Sequence, residues 1–116
     1  MNLRKHKGAQ RTHVEKLGCI EAAAHILGDK WTLLIVGELA KAGTLRFCAL
    51  QDKAGGVNPR TLSARLDWLE KEKILTKKTF TEVPPRCEYA LTKKGHALMP
   101  ALHAMAAWSK KYSANS

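Results

Sequence analysis

Arg60, Thr61, Ser63 and Arg65 crowd into one short stretch directly behind an Asn58-Pro59 pair. Two guanidinium groups and two hydroxyls at this spacing suit a polyanion whose bases carry paired acceptors. An arginine can reach guanine O6 and N7 with two hydrogen bonds, worth ~1–3 kcal/mol of discrimination, while a hydroxyl contacts phosphate or a thymine methyl. On a helix Arg60 and Arg65 stand about one and a half turns apart, near enough in angle to share a groove-facing side. The competing reading for Arg65 is a pair with an acid elsewhere in the domain. Arg46, upstream, is placed to clamp a phosphate on the strand flanking the groove. Downstream, Arg86 is expected to reach the adjacent minor groove or its phosphates. Lys77 and Lys78 are consecutive, so in a strand only one of them can face DNA, and the other is ordinary edge protection.

Other chemistries find less support. Cys19, Cys48 and Cys87 are an odd number without a Cys-x-x-Cys pair, so neither a disulfide framework nor a structural zinc site is expected. That usage fits a reduced, cytoplasmic protein. Cys48 and Cys87 read as small buried apolar residues. His25, His96 and His103 do not gather with Cys or carboxylates at ligand spacing, and no metal or cofactor is expected. Nucleophile–base pairs, glycine-rich phosphate loops and paired carboxylates are all missing at defensible spacings, so an enzyme is not expected.

The totals agree with an anionic partner. Twenty Lys and Arg face ten Asp and Glu among 116 residues, a formal charge of +10. Neutralising phosphates releases condensed counterions, so this excess favours nucleic acid or an anionic membrane surface. A spanning helix needs ~20 apolar residues, far more than the run from Trp31 to Val36 provides. Residues 1–13, with Arg4, Lys5, Lys7 and Arg11 and no acid before Glu15, read as a flexible basic arm rather than a signal peptide.

Several elements must position these side chains. Val14, Leu17, Ile20, Ala23, Ala24 and Leu27 recur at helical spacing, and Gly28 stops that helix. A second helix over about 30–42 carries a stripe wide enough for a central strut, with Gly43 closing it. Thr44-Leu45 form a minimal strand, and a third helix runs from Arg46 to about Ala54. Gly55-Gly56-Val57 is a turn, Asn58 a cap, and Pro59 the first residue of a fourth helix reaching about Glu72, docked by Leu62, Leu66 and Leu69. Leu75–Glu82 and Cys87–Leu91 form a hairpin about a Val83-Pro84-Pro85-Arg86 turn. Trp68 is expected to pack against that hairpin. A last helix, capped by Thr92 and extending to about Tyr112, should break or kink at Pro100. Its stripe of Leu98, Leu102 and Met105 is long for one side of a small domain, and it reads as a dimer surface meeting the first helix. The order helix, turn, helix, basic hairpin predicts an α+β, mostly α, winged helix-turn-helix with N- and C-terminal dimerisation helices, its domain spanning 14–112 and a tail over 113–116.

The segments Gly28-Asp29-Lys30-Trp31-Thr32-Leu33-Leu34-Ile35, Arg46-Phe47, Thr61–Leu66 and Val83–Thr92 resemble the HxlR-type regulators, winged-helix transcription factors related to the MarR group. The resemblance runs in register from about Gly18 to Trp108. It implies a homodimer through the first and last helices, with recognition helices in successive major grooves of double-stranded DNA and a wing on the flanking minor groove. It also implies control of nearby promoters by a nucleoid-associated protein, with repression the expected sign. Members that sense oxidants or electrophiles carry a cysteine at the start of the first helix. Gly18 occupies that place here, and Cys19 stands one residue later, turned by about 100°; a thiol near a helix start still makes Cys19 the candidate redox-sensing residue. The resemblance leaves room for a small-molecule or redox effector. Trp31, Leu34, Met105 and Trp108 would either line its pocket or form a filled core. Two further readings stay open beside the regulator, a protein-interaction adaptor with a winged fold and a non-specific architectural DNA-binding protein.

Overall fold

The computed structural model describes residues 9–113. Its elements follow in the order α1 (Ala9–Leu27), α2 (Lys30–Ala42), β1 (Thr44–Arg46), α3 (Phe47–Lys53), α4 (Pro59–Lys71), β2 (Leu75–Phe80), β3 (Arg86–Leu91), α5 (Lys93–His96) and α6 (Met99–Ser113). This is the winged helix-turn-helix order the sequence predicts. Several boundaries differ: β2 ends at Phe80 rather than Glu82, and β3 begins at Arg86 rather than Cys87. α1 begins at Ala9 rather than Val14, and residues 1–8, with most of the expected basic arm, lie outside the described residues, as do residues 114–116. Arg46 ends β1 and caps α3 instead of opening the helix. The last helix is divided at Ala97-Leu98, ahead of Pro100. Pro100 cannot donate to the carbonyl of residue 96, one turn back, so α5 stops at His96 and a new helix starts around the proline.

The core lies between α2, α3, α4 and the sheet. Ile35, Val36 and Leu39 of α2 meet Leu50 of α3, Leu62, Leu66 and Leu69 of α4, and Leu75, Tyr89 and Leu91 of the hairpin, all buried. Burying an aliphatic side chain of this size contributes roughly 1.5–3 kcal/mol, so this cluster, more than local propensity, holds the helices in place. The three leucines of α4 fall four and three residues apart, which puts one stripe inward and leaves the opposite face, with Arg60, Ala64 and Asp67, exposed. Trp68 is half-buried against the same cluster, to which the hairpin contributes Leu75, Tyr89 and Leu91.

The sheet is antiparallel in the order β1-β3-β2. Its register pairs Leu45 and Lys77 with Tyr89, and Arg46 and Lys78 with Glu88. Side chains paired across an antiparallel sheet share a face. Lys77 therefore stands on the face of buried Tyr89, whereas Arg46, Lys78 and Arg86 stand together on the other. The sheet is joined to the rest of the domain by close packing at Gly95: an added Cβ there would lie 2.1 Å from the Ile74 carbonyl oxygen. Thr92 completes the junction, its hydroxyl donating to the carbonyls of Lys73 (2.6 Å) and Ile74 (3.1 Å) and accepting from the Gly95 amide (3.0 Å).

α1 and α6 both pack on α2, yet α6 has no buried residue. Ile20, Met105, Trp108 and Tyr112 are exposed, Trp108 at 64%. Within one chain, then, Trp31, Leu34, Met105 and Trp108 do not make a filled core: Trp31 is half-buried, and the other three are exposed. Two further expectations are corrected. Cys48 is exposed and Cys87 only half-buried. The inward positions of α3 are Phe47, Leu50 and Ala54, and Cys48 follows Phe47 by about 100° of helix rotation, away from the core. Among the described residues no helix is long and apolar enough to cross a membrane, and no group of three or more His, Cys, Asp or Glu side chains could hold a metal ion.

Candidate nucleic-acid interface

α3 and α4 are joined by a turn that only glycine adopts easily. Gly55 and Gly56 have φ of +89° and +75°, in the left-handed region where a Cβ is strained. Gln51 holds the turn from inside, its Nε2 donating to the Val57 carbonyl at 3.0 Å. No local sequence signal marks that role. Asn58 then caps α4, its Oδ1 accepting from the Arg60 amide at 2.8 Å, with Pro59 at the helix start. The first turn of α4 contains no acid, so the positive end of the helix dipole is left for an external anion.

On this helix Arg60 and Ser63 are exposed and Thr61 is half-buried. Arg60 has no carboxylate within 4.0 Å among the described residues. Arg65 is different. Its Nε donates to Asp29 Oδ2 at 2.9 Å and its Nη2 to Asp29 Oδ1 at 3.2 Å. The same carboxylate caps α2, accepting from the Thr32 amide at 3.0 Å and the Thr32 hydroxyl at 3.3 Å. The guanidinium of Arg65, together with the Thr32 amide, holds the Asp29 carboxyl below the usual aspartate value despite partial burial, and Asp29 raises Arg65 in return. Five residues is 1.4 turns, so Arg65 leaves α4 about 140° round from Arg60. The shared groove-facing side expected for the pair is corrected accordingly: Arg65 ties α4 to the start of α2 through Asp29, a partner that the sequence alone does not name.

The wing brings a second group together. Arg86 pairs with Glu82 and, at 3.4 Å, with Glu88. Its guanidinium also lies 4.2 Å from the centre of the Phe80 ring, over which Lys78 Nζ sits at 5.2 Å. Arg86 is thus held by two carboxylates and an aromatic face at the end of the hairpin, which its position in the turn did not reveal. Lys78 and Arg46 remain exposed on the same sheet face, and Lys77 is exposed on the other. Cys19 is exposed near the middle of α1, ten residues past the helix start at Ala9, so the helix-start argument for its thiol no longer applies. The site residues therefore form an α4 group of Asn58, Arg60, Thr61 and Ser63 and a sheet group of Arg46, Lys78 and Arg86, with Arg65 partly exposed and paired to Asp29 and Lys77 and Cys19 apart.

Comparison with known proteins gives this arrangement a family. The HxlR-like helix-turn-helix description matches residues 26–116. A helix-turn-helix-type transcriptional regulator of Methanothermobacter thermautotrophicus is 36% identical over 101 residues, covering 87% of this chain and 76% of its own. Among solved structures, a MarR-family regulator of Enterococcus faecalis superposes with a TM-score of 0.75 at 34% identity, over 86% of this chain and 90% of that one. The reduced form of the Bacillus subtilis transcriptional regulator YodB superposes with a TM-score of 0.71 at 30% identity, over 83% and 93%. These relatives are transcription regulators and not enzymes. With a match through α2, the helix-turn-helix, the wing and α6, the chain belongs to the HxlR-like helix-turn-helix family.

Proposed function

We propose that the chain is a sequence-specific regulator that binds duplex DNA as a homodimer. α4 enters the major groove with Arg60 toward base edges, Thr61 and Ser63 toward phosphate or a thymine methyl, and Asn58 at the flanking backbone. Arg46 and one face of the wing, through Lys78, meet the neighbouring backbone and minor groove, and Arg86 joins them by exchanging a glutamate for a phosphate. Occupying promoter DNA in this way makes repression the expected sign. The observation that carries the reading is the exposed, acid-free first turn of α4 with Arg60 on it, on a helix whose other face is locked into the core. The homodimer is supported by the apolar side chains that α1 and α6 leave uncovered, since patches of this kind mark interaction surfaces.

Selection of genomic fragments tests the proposal. Purified protein is mixed with sheared DNA of the source organism and random duplex in ~10³-fold excess, and retained fragments are sequenced. The expected result is a small set of promoter fragments sharing two-fold-related half-sites about one helical turn apart. Retention without enrichment would indicate an architectural protein. A failure to retain DNA at low salt would favour an adaptor that offers its basic face to an acidic protein.

A further inference from the structure

On the sheet face turned away from Tyr89, an acid stands in the middle of the cations. Antiparallel pairing places Arg46 of β1 and Lys78 of β2 on either side of Glu88 in the central strand β3. Side chains paired in this way share a face, with Cβ atoms about 4.5–5.5 Å apart. Arg86 precedes Glu88 by two residues and so lies on the same face, its Nε 3.4 Å from Glu88 Oε2. Among the described strand residues on this face Glu88 is the one carboxylate. It is half-buried, whereas Arg46 and Lys78 are exposed. The fold does not need it to hold Arg86, which Glu82 and the Phe80 ring also engage. The first turn of α4, by contrast, contains no acid.

We infer that Glu88 is an internal counter-anion of the sheet group, a positioning residue that limits how strongly Arg46, Lys78 and Arg86 attract a phosphate backbone. That the anion is DNA rests on the reading proposed above; the electrostatics hold for any polyanion. A phosphate arriving at this face meets three cations whose charge is already part-neutralised, and a carboxylate that repels it. These distances are well inside the Debye length of about 10 Å at 0.1 M salt, so the repulsion is not screened away. Each cation that stays with Glu88 is one that releases no counterion from the duplex. The two halves of the interface are therefore tuned differently. α4 offers Arg60 uncompensated to base edges, while the sheet, whose backbone contacts are the same on every sequence, is held back. Glu88 thus sets the sequence-independent part of the affinity.

Anisotropy titrations of the full-length chain on a selected fragment and on a scrambled duplex, from 50 to 200 mM salt, test the inference. Glu88→Gln keeps the shape of the side chain and removes its charge. It should bind both duplexes about tenfold more tightly at 50 mM and a few-fold more tightly at 200 mM, with a log–log salt slope steeper by about one. Glu88→Asp, which keeps the charge, should keep the wild-type slope. Glu38→Gln is the matched control: it removes an acid that pairs with Lys41 at 3.6 Å on α2, outside the sheet, and should leave affinity and slope near the wild type. Unchanged or weaker duplex binding by Glu88→Gln would overturn the inference. So would an equal gain from Glu38→Gln, which would make the effect one of net charge, or a gain confined to the selected fragment. Salt elution from heparin, a sulfated polyanion, separates this inference from the DNA reading. A wild type that binds neither duplex would sink the DNA reading. In that case Glu88→Gln eluting at higher salt than Glu38→Gln would sustain the counter-anion, and elution of the two together would overturn it.

Discussion

At the start of α2 the Asp29 carboxylate accepts the Thr32 amide and hydroxyl and both donors of Arg65, so one side chain joins the strut of the domain to α4. Asp29→Ala removes a cap and a cross-helix pair together, and a loss of about 1–2 kcal/mol is expected in urea unfolding, most of it from the cap because the pair is partly exposed. Asp29→Asn keeps a capping oxygen and isolates the charge. Since the Asp29 carboxyl is held below its ordinary value in the folded state, its contribution is complete above the unfolded aspartate value and disappears as pH falls through the lowered one. Unfolding curves of the wild type and Asp29→Asn should differ by a constant amount from neutral pH down to about 4 and converge below it. This pair was half legible. The sequence offered an acid partner as the competing role for Arg65, but the partner stands 36 residues away, and only the fold brings the two together. Cys48 misled for a similar reason, since residue type says nothing about which way a short helix faces; the turn position of Arg86 likewise says nothing about its pairing with Glu82 and Glu88.

The elements themselves were far more legible, because each is written in local chemistry. The leucine spacing of α4, its Asn58-Pro59 start and the two glycines before it leave little freedom, and the hairpin follows from alternation around a diproline turn. What local chemistry does not carry is the fit between elements. At Gly95, buried where α5 meets the β2 junction, a methyl group would overlap the Ile74 carbonyl, and the hydrogen bond from the Thr92 amide to that same carbonyl at 3.0 Å would be strained. Gly95→Ala should therefore destabilise by about 1–3 kcal/mol although alanine is the better helix former. Thermal unfolding followed by circular dichroism reads the effect, and an unchanged or raised midpoint would mean that the wing and α5 are not packed this tightly. The start of α1 was missed by five residues because residues 9–13 contribute no apolar period to the pattern.

Among the described residues, two surfaces remain uncommitted: an apolar one with Ile20 of α1 and Met105, Trp108 and Tyr112 of α6, and the basic side of α4 and the sheet. Trp108 and Tyr112, with ring centres 5.7 Å apart and both exposed, sit near the end of α6. If the proposed homodimer forms through these side chains, Trp108→Glu should turn it into a monomer in sedimentation at micromolar concentration, since a charge inside an apolar interface is left unpaired. A wild-type monomer at that concentration would remove the dimer from the account. The basic side depends on Arg60. The most direct test is fluorescence anisotropy of the wild type and Arg60→Ala, at fixed salt, on a selected fragment and on a scrambled duplex of the same composition. The account predicts that Arg60→Ala loses about 10- to 100-fold on the selected fragment, the worth of a bidentate guanine contact, and only a few-fold on the scrambled one. Equal losses on both duplexes, or none on either, would contradict it.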